Sequence, residues 1–273
     1  MQAKISRPPV LCIGGLDPSG GAGLQADIES IAHCGGHALP VASCLTVQNS
    51  IQAESITAIE PTLIERQVSQ LLKDMTIASC KIGVIPNSKV AIVISHILTQ
   101  LPNIPVVYDP VFSPTQGDEF CNTDTVAIIK NNLLPAITVL TPNAYELNTL
   151  SNNNLSCNHD SLVSQARGLC QMGIEYVLVT GADSPSVDVH NTLVTHSGVV
   201  QEYKWPRFPH SYHGSGCTLS SALACYLALG CDIPTAVNRA QQYTWRTLQH
   251  AEQIGRGQWI PTRINAQDSG CDN

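Results

Sequence analysis

Short apolar runs of β type alternate with helix-type segments along almost the whole chain, and this alternation restricts the fold more than any other feature. Runs at 10–14, 40–45, 80–85, 105–108, 137–140, 176–180 and 192–195 predict strands. Segments at 22–33, 61–73, 88–101, 123–131, 143–150, 160–172, 218–229 and 233–254 have helical periodicity. Strands that are apolar on both faces must be covered on both faces, as happens when helices pack above and below a mostly parallel sheet. The expected fold is therefore α/β, with a central, mostly parallel sheet flanked by helices on both faces. Neither a fixed-period repeat nor a long Gly/Ser/Pro linker divides the sequence, so one domain is expected over 1–273, with 262–273 as a flexible polar tail.

Composition narrows the function. Hydrophobic residues make up 43% and charged residues 13%, the balance of a packed globular protein. A net charge of −7 with only 14 Lys+Arg argues against a nucleic-acid surface, which needs a basic footprint. Met1-Gln2-Ala3-Lys4 leads into a strand without a signal-peptide pattern, and no apolar run reaches bilayer-spanning length. A cytoplasmic protein with no membrane partner is expected. The 11 cysteines contain no Cys-x-x-Cys pair, and Cys12, Cys44, Cys170 and Cys225 sit in apolar segments, so they read as reduced thiols packed as small hydrophobes. His33 and His37 lie one helical turn apart but lack a third partner, and read as helix-end histidines rather than metal ligands.

In open α/β sheets ligands gather at the carboxyl ends of the strands. This chain places its glycine-rich and polar sequences just after strands, at 15–23, 46–49, 109–118, Asn143 with Glu146, and 181–183. A further loop, His213-Gly214-Ser215-Gly216-Cys217-Thr218-Leu219-Ser220, runs into a late apolar helix. Its glycines allow close approach to the main chain, and the helix start offers unpaired N–H groups and the positive end of the macrodipole to an anion. A cysteine in that first turn is expected to have a lowered pKa and to be a candidate proton acceptor.

The loop Gly14-Gly15-Leu16-Asp17-Pro18-Ser19-Gly20-Gly21-Ala22-Gly23 imitates two nucleotide motifs and satisfies neither. Gly15 and Gly20 have Walker A spacing, yet Gly21 stands where the motif needs lysine. Gly21-x-Gly23-x-x-Ala26 resembles a dinucleotide fingerprint, but Asp17-Pro18-Ser19 intervenes and residues 40–53 contain no acid for a ribose. The loop instead suits close approach to a small flat ligand. Asp27 either accepts hydrogen bonds from an amino group on that ligand or is an exposed first-turn acid.

Asp17-Pro18-Ser19-Gly20-Gly21-Ala22-Gly23-Leu24-Gln25-Ala26-Asp27 resembles the N-terminal signature of the hydroxymethylpyrimidine/phosphomethylpyrimidine kinases of thiamine biosynthesis. Five more blocks follow in the same order: Thr46-Val47-Gln48-Asn49, Lys81-Ile82-Gly83, Asp109-Pro110-Val111, Thr141-Pro142-Asn143-Ala144-Tyr145-Glu146 and the loop at 213–220. The resemblance spans 8–260 and implies a ribokinase-like fold with an eight-stranded, mostly parallel sheet. It also implies a homodimer, ATP with Mg²⁺ as phosphoryl donor, and phosphorylation of 4-amino-5-hydroxymethyl-2-methylpyrimidine and its monophosphate to the diphosphate. By this resemblance Gly15, Asp17, Ala22, Asp27, Gln48 and Val84 form the pyrimidine pocket, and Asn143, Glu146, Thr180 and Gly181 the nucleotide side. Asp109 and Glu146 take the place of the acidic pair at Mg²⁺. Gly214, Ser215 and Gly216 take that of the anion hole, and Cys217 that of the catalytic base.

Two departures stand out against the family pattern. Thr180-Gly181-Ala182 replaces a lysine and two glycines, and Thr115 replaces a second lysine, so weaker nucleotide binding or a greater dependence on Mg²⁺ is expected. Two other readings remain open: a pyridoxal-type vitamin kinase of the same superfamily, and a pyrimidine-binding protein with weakened catalysis.

Overall fold

The first apolar run becomes the centre of the molecule: Val10, Leu11, Cys12 and Ile13 are all fully buried in strand β1 (Pro9–Leu16). The computed structural model describes residues 7–112, 122–151, 158–182 and 186–264. Within them β1 joins β2 (His37–Gln48), β3 (Ala53–Ala58), β4 (Ser79–Ile82), β5 (Val106–Tyr108), β6 (Val139–Leu140), β7 (Tyr176–Val179), β8 (Asp188–Thr195) and β9 (Gly198–Pro206). They form a nine-stranded sheet in the order β3-β2-β1-β4-β5-β6-β7-β8-β9. The six strands from β2 to β7 run parallel, whereas β3 at one edge and β8 and β9 at the other are antiparallel.

Alternation along the strands feeds two cores. Leu11 and Ile13 face α2 (Pro61–Asp74), α3 (Ser88–Thr99), α5 (Ala144–Ser151) and α6 (His159–Gln171). Val10 and Cys12 face α1 (Gly23–His33), α7 (Ser215–Ala228) and α8 (Ile233–Gln249). The short α4 (Thr123–Ile128) continues through a π turn at Ile129–Leu133. Cys12, Cys44, Cys170 and Cys225 are buried, as their apolar settings suggested.

Helix starts divide into two kinds. Asn87, Asn122, Asn158 and Asp232 cap α3, α4, α6 and α8 by accepting a main-chain N–H three residues on. By contrast, α1, α2 and α7 begin without a side-chain cap or an acid in the first turn, and of these α1 and α7 follow glycine-rich loops. These two helices leave their amino ends available where the ordering of strands reverses between β1 and β4, a topological switch point.

The mostly parallel, doubly covered sheet agrees with the alternation in the sequence. The sheet has one strand more than the eight the resemblance implies. β3 and β9 escape sequence reading because both are edge strands with few buried residues and lack an apolar run. Helix α7 begins at Ser215 rather than 218, and α8 ends at Gln249 rather than 254. Of the tail expected from 262, residues 265–273 lie outside the described residues, but Arg263 is 2% exposed and built into the protein. Its burial corrects the expectation of a free tail at that point.

Helix α3 offers a direct test of which face carries stability. Ile94 is fully buried against the sheet while Ile92, on the same helix, is 50% exposed. Ile94→Ala is expected to lower unfolding free energy by about 2–5 kcal/mol. Ile92→Ala is expected to stay within about 0.5 kcal/mol of wild type, with both read from urea denaturation midpoints.

Candidate active site

A cleft of about 680 Å³ opens at the carboxyl ends of the parallel strands. Gly15, Asp17, Ala22, Gln48 and Val84 line it around the switch point, and Asp109, Asn143, Glu146 and Thr180 line it further along the sheet. The start of α7 touches both groups. Gly214 packs on Gly21 and Ala22, while a Cβ on Gly216 would stand 3.7 Å from both oxygens of Asp109. Gly214, Ser215, Gly216 and Cys217 all line the cleft. Asp27 and Gly181 do not.

The first glycine loop is built around Asp17. Its carboxylate accepts the main-chain N–H groups of Ser19 at 2.8 Å and Ala22 at 2.9 Å, the Ser19 hydroxyl at 2.9 Å, and a contact from His213 Nε2 at 2.8 Å. Burial alone would raise its pKa, but the hydrogen bonds from His213 and Ser19 bring it down to about 2. Asp17 therefore organises the loop, its oxygens committed to protein donors rather than to a ligand. Absent side chains matter here. A Cβ on Gly21 would stand 2.1 Å from the His213 ring, and one on Gly15 2.8 Å from Val84.

A charged group lies below the floor. Lys81 Nζ is 2.8 Å from Asp27 Oδ1, which also accepts the Ser221 hydroxyl at 2.6 Å, and both charged side chains are essentially fully buried. Burial would lower the ammonium's pKa, but Asp27, with Cys217 and Asp109 close by, holds it well above its ordinary value. Asp27 thus faces Lys81 beneath Gly14 and Gly83, where sequence reading had it either at the ligand or exposed to solvent. Asp109 accepts the Ser220 hydroxyl at 3.2 Å, and burial raises its pKa despite Lys81. Cys217, Ser220 and Ser221 share one face of α7, spaced as residues i, i+3 and i+4.

The thiol of Cys217 corrects an expectation. Removal from water pushes its pKa up to about 12, and Asp109 and Asp27 add to the rise, against the lowering by Lys81 and the Gly23 N–H. The amino end of α7 does not overcome that desolvation. Half-buried at the cleft wall, Cys217 therefore favours the thiol over the thiolate.

Toward the other end, Asn143 and Glu146 form a reciprocal capping box on α5. Asn143 N–H donates to Glu146 Oε2 at 2.8 Å, and Glu146 N–H donates to Asn143 Oδ1 at 2.9 Å. The box fixes the Glu146 carboxylate on the cleft wall. The Thr180 N–H and hydroxyl both donate to Pro142 O, at 2.9 and 3.3 Å. Gly181 packs against the His190 carbonyl, where a Cβ would stand 2.2 Å away, and donates its N–H to Asn191 Oδ1 at 2.9 Å. That packing takes it out of the cleft. Thr115 lies outside the described residues.

Two carboxylates on one wall, Asp109 and Glu146, suit a hard divalent cation that completes its shell with phosphate oxygens and water. The described residues contain no cluster of three or more His, Cys, Asp or Glu able to hold a metal unaided. Shared ligation with a phosphate fits this donor set better than a closed protein site.

Sequence reading placed Lys81 and His213 within its motif blocks without giving either a role, and it missed Arg207 and Arg263. Lys81 was detectable as the single charge in the apolar run 80–85. Arg207 lines the cleft and donates to the carbonyls of Ala182 at 2.6 Å and Ser186 at 2.7 Å, placing a guanidinium near Thr180. No local pattern marked that contact, which joins residues more than 20 positions apart. No helix among the described residues is long and apolar enough to cross a membrane.

Comparison with known proteins agrees with this geometry. The chain is 33% identical over 254 residues to the hydroxymethylpyrimidine/phosphomethylpyrimidine kinase of Synechococcus elongatus, covering 92% of this chain and 95% of that protein. It is 30% identical over 272 residues to a thiamine biosynthesis bifunctional protein of Geobacter sulfurreducens, covering 99% of this chain and 55% of that protein. The ADP complex of Bacillus subtilis pyridoxal kinase has the same fold, with a TM-score of 0.84 at 22% identity, covering 94% of this chain and 98% of that chain. The family model for phosphomethylpyrimidine kinase matches residues 17–262, from the Asp17 loop to the segment that delivers Arg263, and the chain belongs to that family.

Proposed function

We propose that this protein is an ATP-dependent kinase that phosphorylates 4-amino-5-hydroxymethyl-2-methylpyrimidine and its monophosphate, yielding the diphosphate used in thiamine biosynthesis. One observation carries the reading: the uncapped start of α7 spans the cleft from the Gly21–Ala22 wall to the Asp109 carboxylate. A hydroxyl on a ring held at the first end would there meet a phosphate held at the second. Gly15, Ala22, Gln48 and Val84 form the ring pocket, with the Gln48 amide able to donate and accept at the ring edge. Asp17 shapes that pocket from behind, and Asp27 acts through Lys81.

Phosphoryl transfer requires alignment and stabilisation of charge on the equatorial oxygens. Main-chain N–H groups at Gly214, Ser215 and Gly216 supply donors fixed before the reaction begins. Asp109 and Glu146 would hold Mg²⁺, which when bound neutralises phosphate charge. Asn143 keeps Glu146 in place, and Thr180, with Gly181 behind it, closes the nucleotide side. Cys217, in the small fraction present as thiolate, takes the hydroxyl proton as the new oxygen–phosphorus bond forms and the bond to the departing diphosphate breaks. That proton leaves late in a loose transition state, so a small thiolate fraction can serve.

A homodimer is part of the proposal. Leu16, Leu45 and Val47 are 44%, 45% and 53% exposed, and Leu16 and Leu45 are register partners on β1 and β2, forming an apolar strip at the sheet's outer end. The eight cysteines described are all free, which supports a reducing, cytoplasmic setting.

A coupled assay with the pyrimidine, its monophosphate and pyridoxal in parallel tests the reading. Turnover of the two pyrimidines, with pyridoxal at least about tenfold slower in kcat/KM, is expected. Pyridoxal as the best substrate would move the chain to the vitamin-kinase reading, and pyrimidine binding without turnover at any Mg²⁺ concentration would make it a binding protein. Cys217→Ala is expected to lower kcat by about 100-fold or more with little change in pyrimidine affinity, measured by steady-state kinetics and calorimetry.

The pH profile follows from the raised thiol. A base works deprotonated, so with its pKa near 12 the competent fraction grows as pH rises across the neutral range. Wild-type kcat should therefore climb between about pH 6 and 9, while Cys217→Asp, whose carboxylate has an ordinary pKa of about 4, should be flat there. Thr180→Lys should lower KM for ATP by about threefold to tenfold, the value of a partly screened charge on a phosphate.

A further inference from the structure

We propose that Arg263 is a positioning residue for the transfer end of the cleft, a role that rests on the kinase reading above. Beyond α8 the chain turns back along the loop that precedes α7. Glu252 and Ile260 exchange main-chain hydrogen bonds at 2.9 Å, Trp259 N–H donates to Ser211 O at 2.9 Å, and His213 N–H donates to Trp259 O at 2.9 Å. Thr262 N–H then donates to Thr247 O at 3.2 Å, and the Tyr243 hydroxyl to Arg263 O at 3.1 Å. These contacts fix the backbone from which the Arg263 side chain enters the protein.

The guanidinium is fully buried and its fork bridges two separate loops. Nε donates to Thr218 Oγ1 at 2.9 Å, and that hydroxyl in turn donates to Gly214 O at 2.8 Å. The other nitrogens donate to the carbonyls of Gly21 and Gly20, the latter at 3.4 Å, and pair with Glu29 Oε2 at 3.3 Å. The first turn of α7 and the first glycine loop are thereby tied to one rigid planar group. A buried guanidinium is costly unless each donor is met, so this cation persists only with both loops in place. Lysine, with a single donor atom, cannot span the same partners.

Arg263 touches neither nucleotide nor ring in this reading. It acts by holding the N–H groups at 214–217 against the wall that positions the ring. A displacement of about 1 Å between two such groups is enough to cost about 100-fold in rate.

The test uses the full chain with Arg263→Ala and Arg263→Lys, and with guanidinium ion added back. Arg263→Ala is expected to lower kcat by about 10–100-fold while KM for the pyrimidine rises less than about threefold. Guanidinium at about 20 mM should restore kcat about fivefold in Arg263→Ala and have no such effect on wild type. Deuterium exchange in peptides covering 213–220 should quicken by about tenfold, with β1 and β4 unchanged. A kcat within twofold of wild type with unchanged exchange would overturn the proposal. So would a loss that guanidinium does not recover, accompanied by faster exchange over the whole chain, since this is what a purely structural residue gives. Should Arg263→Ala fail to fold, Arg263→Lys carries the same readouts. If wild type turns over no pyrimidine, the kinase reading fails by itself, and local exchange at 213–220 still decides whether Arg263 orders that turn.

Discussion

Gly214 rests against the carbonyl oxygen of Gly21, at a distance where a Cβ would lie 2.1 Å from that oxygen, and its φ of +81° favours glycine as well. The contact joins residues almost 200 positions apart and sets the height of α7 above the sheet. With Gly214 in place, Gly216 falls over Asp109, Ser220 reaches the same carboxylate, and Ser221 reaches Asp27. Helix α7 is buried along most of its length between α1, α8 and the sheet, so it cannot tilt to accommodate a bulkier loop. The position of the transfer end is therefore set by sterics first and refined by hydrogen bonds. Electrostatics acts on a frame already fixed.

Beneath that frame the Lys81 ammonium and the Asp27 and Asp109 carboxylates are buried, and the half-buried Cys217 thiol lies beside them at the cleft wall. Desolvation is the largest influence on Asp109 and Cys217, and in both it favours the neutral form. Lys81 counters it and is itself kept charged by Asp27. The balance keeps the Cys217 thiolate scarce, which also limits its reactivity as a nucleophile at the cleft wall.

The alternation of apolar runs made the parallel sheet legible, because burial on both faces leaves an unbroken apolar signal at residues 10–13 of β1 and throughout β5. Edge strands β3 and β9 carry no such signal, since solvent-facing residues of any polarity serve there. The loops that line the cleft were legible through their glycines and their place after strands. What they bind to within the protein was not. Asp27 was readable as an acid in the first turns of α1, but its partner Lys81 lies 54 residues away. Arg263 sat in a polar stretch that resembled a frayed end, and only the return of the chain past Trp259 brings it under Gly21. Local patterns record local burial; pairings across the sheet are properties of topology.

The replacement of a lysine by Thr180 changes where positive potential must come from. Arg207 stands nearby, yet its guanidinium is exposed to solvent and spends donors on the carbonyls of Ala182 and Ser186. A solvated cation is screened and contributes little at a distance. The amino end of α7 is different: it starts without a side-chain cap and lines the cleft, where the N–H groups of a helix start carry a partial positive charge. In the proposed kinase, charge that would elsewhere come from a flexible side chain would fall to a rigid turn and to a cation on Asp109 and Glu146. A rigid donor loses no side-chain entropy on binding phosphate, but it cannot follow a phosphate that is misplaced. On the proposed reading nucleotide affinity and transfer geometry would therefore depend on the same few main-chain atoms, and on whatever keeps that turn still.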